Sequence, residues 1–242
     1  MTKEKPILFN DWSVNGVLAG RKTMTRRPMK LQPKITMGYD KFECAFVTWK
    51  DAHTLVNTGG GGTPESILQF MAQKRAQYQV GDRLWVREAY KLEHAFDENK
   101  PSEVDYSPVL YLADNSVGNI TPTDGTNGTN GFTYGRYRHA RFMPKKFARI
   151  WLKVTEVKAQ RVQDITEEDA LAEGVYWDGY YFRGGIHPVK KTLQCWNTEK
   201  EAFKAVWNSI YGEGAWEENP WVWVVEFKRV KGGMAKEGSD GK

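Results

Sequence analysis

The spacing of hydrophobic residues changes along the chain, and each period predicts a type of secondary structure. A short apolar run at 6–9 is followed by apolar residues at helical spacing over 12–18, before Gly20. This pattern predicts a strand and then a helix that ends at a glycine. Over 83–90, apolar and charged residues alternate, which is typical of a half-buried strand.

The second half of the chain shows the same kinds of pattern. Residues 147–162 are rich in strand-forming residues, and Thr166 precedes an acidic turn in the manner of a helix N-cap. Apolar residues recur on one face over 199–211, which predicts a longer helix. An aromatic, β-branched run over 220–230 predicts a final strand, on which Trp221 and Trp223 either fill the core or stack on a base.

Three intervening segments lack a clear period, and we interpret them as loop-rich insertions into a single domain that covers residues 1–230. They span about 32–79, 92–143 and 176–198, with one helix expected near 64–75. The second insertion contains the turn-forming sequence TDGTNGTNG. Residues 231–242 are small and polar, which predicts a disordered tail.

Composition limits the kinds of binding partner and the cellular compartment that we expect for this protein. A net charge of +5 favours anionic partners, and the 10 Trp, 11 Tyr and 11 Phe residues supply both a core and flat surfaces for bases. The two cysteines, Cys44 and Cys195, fit neither a disulfide framework nor a zinc site. No signal peptide or membrane-spanning run is present, so a soluble cytoplasmic protein without metal or cofactor is expected.

The densest polar cluster follows Gly20. It contains Arg21, Lys22, Arg26 and Arg27 together with two threonines, one of which is Thr25. Such a cluster predicts binding of phosphate or nucleic acid, although a solvated basic turn is the plainer alternative. By strand alternation, Arg83 and Arg87 share one face and either extend this basic surface or form an ordinary exposed face.

Four sequence blocks, taken in order, resemble the ASCH domain of the PUA-like superfamily. They are LAGRKTMTRRP at 18–28, VGDRLWVRE at 80–88, VQDITEEDALAEGV at 162–175 and NSIYGEGAWEENPWVWVVEFKRV at 208–230. The arrangement is most similar to the longer ASCH proteins of bacteriophages and prophages, so the expected compartment is the cytoplasm of a bacterium or an infected host cell. The resemblance implies an α+β fold in which a small β-barrel carries flanking helices.

The turn GRKTMT also resembles that of bacterial amidohydrolases which cleave N4-acylated cytidines, chiefly N4-acetylcytidine. This resemblance implies catalytic roles for Lys22, Thr25 and Glu173. Thr25 attacks the acyl carbon or positions a water, while Lys22 is either a general base or an oxyanion stabiliser. Glu173 then moves a proton to the leaving amine, and Glu88 is the rival carboxylate. We expect the trio to converge and residues 20–28 to lie beside the 83–88 strand.

The leading hypothesis is recognition of a nucleotide or RNA base in a basic cleft, extended by the resemblance to amide hydrolysis of an N4-acylated cytidine. The binding residues expected around the cleft are Arg21, Arg26, Arg27, Arg83, Arg87 and Glu88. Family membership alone does not fix the reaction. The alternatives are a non-enzymatic RNA- or DNA-binding module of phage origin and an accessory protein in phage assembly. The sequence leaves the oligomeric state open.

Overall fold

The protein has a mixed α+β architecture in which strands outnumber helices. The computed structural model describes residues 3–30, 32–37, 44–49, 52–57, 75–118, 133–186 and 193–231. Within these ranges, no helix is both long enough and apolar enough to span a lipid bilayer. The predicted disorder of residues 232–242 lies outside the described part.

Helices and strands follow one another along the described residues. The α-helices found there are α1 (Asp11–Leu18), α2 (Glu167–Ala172) and α3 (Glu199–Tyr211). The strands are β1 (Glu4–Leu8), β2 (Met24–Pro28), β3 (Lys34–Met37), β4 (Cys44–Trp49), β5 (Ala52–Asn57), β6 (Arg83–Arg87), β7 (Tyr90–Lys91), β8 (Val109–Tyr111), β9 (Ser116–Gly118), β10 (Trp151–Arg161), β11 (Tyr176–Trp177), β12 (Phe182–Ile186), β13 (Leu193–Trp196) and β14 (Trp221–Val230).

The chain divides into two compact units. The first unit contains Met1–Asn15, Asp82–Lys153 and Lys228–Lys242, and the second contains Gly16–Gly81 and Val154–Phe227. In the first unit, β1 pairs in parallel with β6, which pairs antiparallel with the start of β10. Buried apolar residues of these strands form part of its core: Ile7, Leu84, Val86 and Leu152. The predicted strand at 83 is therefore confirmed.

The second unit contains the helices α2 and α3 beside its sheet. Here the strand order is β10, β14 and β2, and β14 pairs antiparallel with β2 from Val222 opposite Pro28 to Glu226 opposite Met24. Met24 and Val224 belong to the buried cluster that also contains Ala170 of α2 and Phe203 of α3. The predicted helix at 199–211 is confirmed at both ends.

Two sequence-based expectations about the strands are wrong. The neighbour of β2 is β14, and β6 runs between β1 and β10, so residues 20–28 do not lie beside the 83–88 strand. The three segments predicted to be loop-rich contain strands of three small antiparallel sheets: β3–β5 in the first, β8 and β9, which pair with β7, in the second, and β11–β13 in the third. Strands of only 2–6 residues offer too few alternations for a period to be visible. The helix expected near 64–75 lies almost entirely outside the described residues.

Candidate active site

The turn that carries Lys22 is fixed by backbone hydrogen bonds in the second unit. Helix α1 ends before Gly20, whose φ of 74° lies in the left-handed region that favours glycine. The N–H groups of Arg21 and Lys22 both donate to the carbonyl of Gly16, at 2.9 and 3.0 Å. One residue later, the N–H of Thr23 donates to the carbonyl of Ala172 at 2.8 Å. The ends of α1 and α2 therefore set the position of Lys22.

Two glycines leave space for the stem of the lysine. A Cβ added at Gly16 would lie 3.0 Å from Cβ of Lys22, and one added at Gly174 would lie 3.4 Å from the same atom. Gly174 also has a φ of 106°, which side chains other than glycine rarely adopt. Because glycine occurs within α1 and just after the C-cap of α2, the Lys22 side chain can approach the backbone closely at both places.

Lys22 and Glu173 form a buried ion pair. Nζ of Lys22 lies 2.6 Å from Oε2 of Glu173, and it also donates to the backbone carbonyl of Glu173 at 2.8 Å. The two side chains are 4% and 6% exposed. Glu173 is the C-cap residue of α2, so its position follows from the helix that begins with the Thr166 N-cap. The sequence therefore located the start of this helix correctly.

A second cation reaches the same carboxylate. Nη1 of Arg26 lies 3.4 Å from Oε1 of Glu173, and Nη2 of Arg26 contacts Asp169. The Arg26 side chain is fully buried. Two cations and two carboxylates thus share the site, which matters because a buried charge is costly unless it is paired. Asp169 lies four residues before Glu173 on α2, and that spacing was the signal from which it could have been found.

The pKa of Lys22 depends mainly on the burial of its side chain. Removal from solvent lowers the pKa of Lys22 below its ordinary value of 10.5, and the nearby charges of Arg27 and Arg26 lower it further. Glu173 opposes them, because its carboxylate raises the pKa of Lys22, but the net direction is downward. The sequence left this direction open. A lowered pKa increases the fraction of neutral amine, which is the form that accepts a proton.

Thr25 lies on the other face of β2 from Arg26. It is buried, and it pairs with Val225 of β14, while Arg27 pairs with Trp223. Successive residues of a strand point to opposite faces, so Thr25 and Arg27 share one face. The structure thus brings Lys22, Arg26 and Glu173 together, and it assigns Thr25 to the face shared with Arg27.

That face borders a pocket of about 550 Å³ in the second unit. Its lining combines aromatic rings with cationic side chains, and none of the described lining residues is Asp or Glu. The aromatic residues are Tyr78, Tyr211 and Trp223, and the cations are Arg27, Lys30 and Arg75. Trp223 is half-buried at the pocket, whereas Trp221 is buried under Arg161, whose guanidinium lies 4.5 Å from its ring.

Two lining residues connect the pocket to the buried ion pair. Arg27 is close enough to Lys22 to lower its pKa. Tyr211, at the end of α3, has a raised pKa, first because of burial and also because of the charge of Glu173, with Arg27 acting in the opposite direction. No local sequence pattern indicated Tyr211, since its role depends on where α3 packs.

The remaining basic residues expected at the site stack on aromatic rings. Arg21 is exposed, and its guanidinium lies 4.5 Å from the centroid of the Tyr176 ring. In the first unit, Arg83 and Arg87 lie 5.1 Å from Trp151 and 4.6 Å from Trp85. These cation–π contacts give both arginines of β6 a role in covering their own sheet.

Glu88, the rival carboxylate, is fully buried in the first unit. Arg149 donates to both of its oxygens, at 2.9 and 2.7 Å, and also pairs with Asp114 at 2.9 Å. Burial raises the pKa of Glu88, and Arg149 opposes that rise. Glu88 is bound by Arg149, whereas Glu173 contacts Lys22 directly, and that contact favours Glu173 as the carboxylate of the candidate site.

Among the described residues, no group of three or more His, Cys, Asp or Glu side chains is arranged to hold a metal ion. No family model matches the chain, and comparisons with curated proteins and with solved structures likewise find no match.

Proposed function

We propose that the second unit binds a modified pyrimidine nucleoside or nucleotide and hydrolyses its N4-acyl amide. One observation carries the proposal: a buried lysine with a lowered pKa is paired with a carboxylate beside a pocket that has aromatic and cationic walls. A proton acceptor and a proton donor in contact are what amide hydrolysis requires. The choice of a cytidine as substrate, and the expectation of a PUA-like barrel, come from the resemblance to ASCH amidohydrolases.

The proposed reaction consumes one water and releases cytidine and a carboxylic acid. The attacking oxygen, from Thr25 or from a water that it positions, gives its proton to the neutral amine of Lys22. The ammonium that then forms on Lys22 stabilises the oxyanion on the acyl oxygen. The C–N4 bond then breaks, and the proton passes through Glu173 to N4 of the leaving cytosine. If Thr25 attacks, the water hydrolyses the acyl ester on Thr25 once the amine has left, which releases the carboxylic acid. The 2.6 Å contact between Lys22 and Glu173 provides the path for that proton.

Recognition of the base is assigned to the aromatic walls of the pocket. Trp223 and Tyr211 present flat surfaces on which a pyrimidine stacks. The pocket volume of about 550 Å³ is within the range of small-molecule sites, roughly 300–1,000 Å³. A pocket of this size selects a single nucleotide over a folded polymer.

Binding without chemistry is the second candidate, and one contact favours it. Nζ of Lys22 donates to the carbonyl of Glu173 as well as to its carboxylate, which is how a cation caps the end of a helix. In that case the pair holds α2 in place, and the pocket binds a nucleotide or an RNA base without turnover.

The experiment is an HPLC assay of N4-acetylcytidine with purified protein in the presence of a chelator. We expect cytidine to form, and Glu173→Gln to reduce kcat by a factor of about 100 or more. Glu167→Gln is the matched control, because Glu167 is exposed on the same helix and should leave turnover unchanged. Absence of turnover together with nucleotide binding would favour the binding protein, and absence of both would favour an assembly role.

A further inference from the structure

We infer that the first unit carries a binding site for single-stranded nucleic acid, formed by Arg136, Tyr137, Arg141 and Phe142. We call these four residues the basic aromatic surface. None of them belongs to the pocket or to the ion pair of the proposed function. The stretch 133–149 that contains them has six Arg and Lys residues and no Asp or Glu. Cations with interspersed aromatic residues are typical of a surface that follows a nucleic-acid backbone.

Both rings of the basic aromatic surface are exposed. Tyr137 is 58% exposed and Phe142 is 62% exposed, whereas Met143 and Phe147, which follow in the sequence, are buried. The two arginines are exposed as well, and the guanidinium of Arg141 lies 5.8 Å from the centroid of the Phe142 ring. Exposed rings that occur together indicate an interaction surface, while rings scattered singly need no explanation.

The backbone beneath this surface is fixed by hydrogen bonds within the first unit. Arg138 and Tyr90 of β7 exchange backbone hydrogen bonds at 2.9 and 3.2 Å. The carbonyl of Arg141 accepts from Nη1 of Arg87 at 3.1 Å, and the carbonyl of Phe142 accepts from the Tyr90 hydroxyl at 3.2 Å. A surface whose backbone is already ordered loses less conformational entropy when it binds a partner.

Two lysines of the same stretch already have partners, and we do not include them in the surface. Lys145 pairs with Glu4, and Nζ of Lys146 lies 3.6 Å from a carboxylate oxygen of Asp105. The cations of the surface are therefore its two arginines. A guanidinium group binds phosphate oxygens in pairs and also stacks on flat rings, which suits both parts of a nucleotide.

The order of rings and cations favours a single strand over a lipid surface. A membrane-surface helix separates its apolar and basic residues onto opposite faces. Here Arg136 directly precedes Tyr137, and Arg141 directly precedes Phe142. The two rings are at most about 18 Å apart along the chain, which a few nucleotides span. Each ring stacks on a base while the adjacent arginine contacts the phosphate, whereas the bases of a duplex already stack on one another.

The test measures binding of fluorescein-labelled oligouridine and oligothymidine by fluorescence anisotropy between about 50 and 200 mM salt. Tyr137→Ala and Phe142→Ala should each weaken binding about five-fold or more, as expected for the loss of one base–aromatic stack. The combined variant Arg136→Gln/Arg141→Gln should lower the slope of log affinity against log salt by about 1.4, which corresponds to two phosphate contacts. The tighter of the two oligonucleotides identifies RNA or DNA as the natural partner.

Two matched controls should retain the affinity and the salt slope of the wild type. Tyr180→Ala removes a ring that is 80% exposed in the second unit, and Lys153→Gln removes an exposed cation of the first unit that lies outside the stretch 133–149. All substituted residues are exposed, and thermal melting verifies that each variant is folded.

Three results would overturn the inference. The first is wild-type affinity in both ring variants, because the oligonucleotide would then bind elsewhere, for example in the pocket. The second is equally tight binding of a duplex, which indicates attraction by charge alone. The third is binding of the wild type to phosphatidylglycerol vesicles but to neither oligonucleotide, which identifies a lipid surface. Hydrolysis plays no part in this measurement, so the proposed function and this inference fail independently.

Discussion

Nζ of Lys22 lies 2.6 Å from Oε2 of Glu173, at the end of a helix that begins only six residues before Glu173. Two charges so deeply buried lose most of their hydration, and their mutual attraction offsets that loss only while both partners are present. Arg26 approaches the other carboxylate oxygen at 3.4 Å and pairs with Asp169, so the charges balance within the cluster. The same arrangement supports the structure of α2 and places a proton donor beside a proton acceptor.

Removal of both partners should destabilise the protein by less than the sum of the two single removals. We expect Lys22→Met or Glu173→Gln alone to lower the free energy of unfolding by about 3 kcal/mol, because each leaves a buried charge or dipole poorly compensated. The double variant should recover about 1–3 kcal/mol of the summed loss. Urea unfolding of the wild type, the two single variants and the double variant provides the four free energies that this comparison needs.

A matched control uses the surface pair Lys158 and Glu226, whose side chains are 42% and 31% exposed. Its coupling energy should be below about 1 kcal/mol, because solvent screens exposed pairs. If the losses at Lys22 and Glu173 are additive, the two residues do not stabilise each other as the geometry implies.

The stability contributed by Lys22 should depend on pH in a defined direction. Its pKa in the folded protein is lowered by burial from 10.5, the value expected in the unfolded chain. Between the lowered pKa and 10.5, the unfolded chain binds more protons, so the free energy of unfolding rises with pH. The difference between the wild type and Lys22→Met should therefore increase as the pH rises from the lowered pKa towards 10.5. A decrease over that range would mean that Glu173 raises the pKa of Lys22 more than burial lowers it.

Packing of the third small sheet against α3 should depend on a glycine. A Cβ at Gly184 of β12 would lie 2.3 Å from the carbonyl oxygen of Ala202 and 2.7 Å from its carbon, and both are backbone atoms. Gly184→Ala should therefore lower the free energy of unfolding by about 3 kcal/mol or more. Gly179→Ala is the control, because a Cβ there meets nothing within 4 Å and only the φ of 105° is unfavourable, at about 1–2 kcal/mol. Equal losses in thermal or urea unfolding would contradict the contact.

Short-range sequence patterns were sufficient to predict the helices that position the residues of the site. The Thr166 N-cap, the apolar face of α3 and Gly20 each specify a helix boundary through interactions within a few residues, and all three agree with the structure. Lys22 and Glu173 were paired through the resemblance alone. Their contact spans 151 residues, and no local pattern encodes a separation of that length.

Long-range packing produced the features that the sequence did not predict. The pocket combines residues from β2, β14, the end of α3 and the segment at Arg75, so its existence depends on the tertiary structure. The three small sheets pair strands that are too short for alternation to be visible. The sequence likewise did not predict the partner of Glu88, because only the fold reveals that Arg149 binds both of its oxygens.

The most direct test of the proposed role of Lys22 compares hydrolysis of N4-acetylcytidine by the wild type, Lys22→Arg and Thr25→Val. Arginine keeps the positive charge but does not lose its proton near neutral pH. If Lys22 is the general base, both variants should lose a factor of about 100 or more in kcat while substrate binding, measured by tryptophan fluorescence, changes little. A Lys22→Arg variant that binds substrate and retains more than about a tenth of the wild-type kcat would contradict the general-base role, because only the charge would then be required.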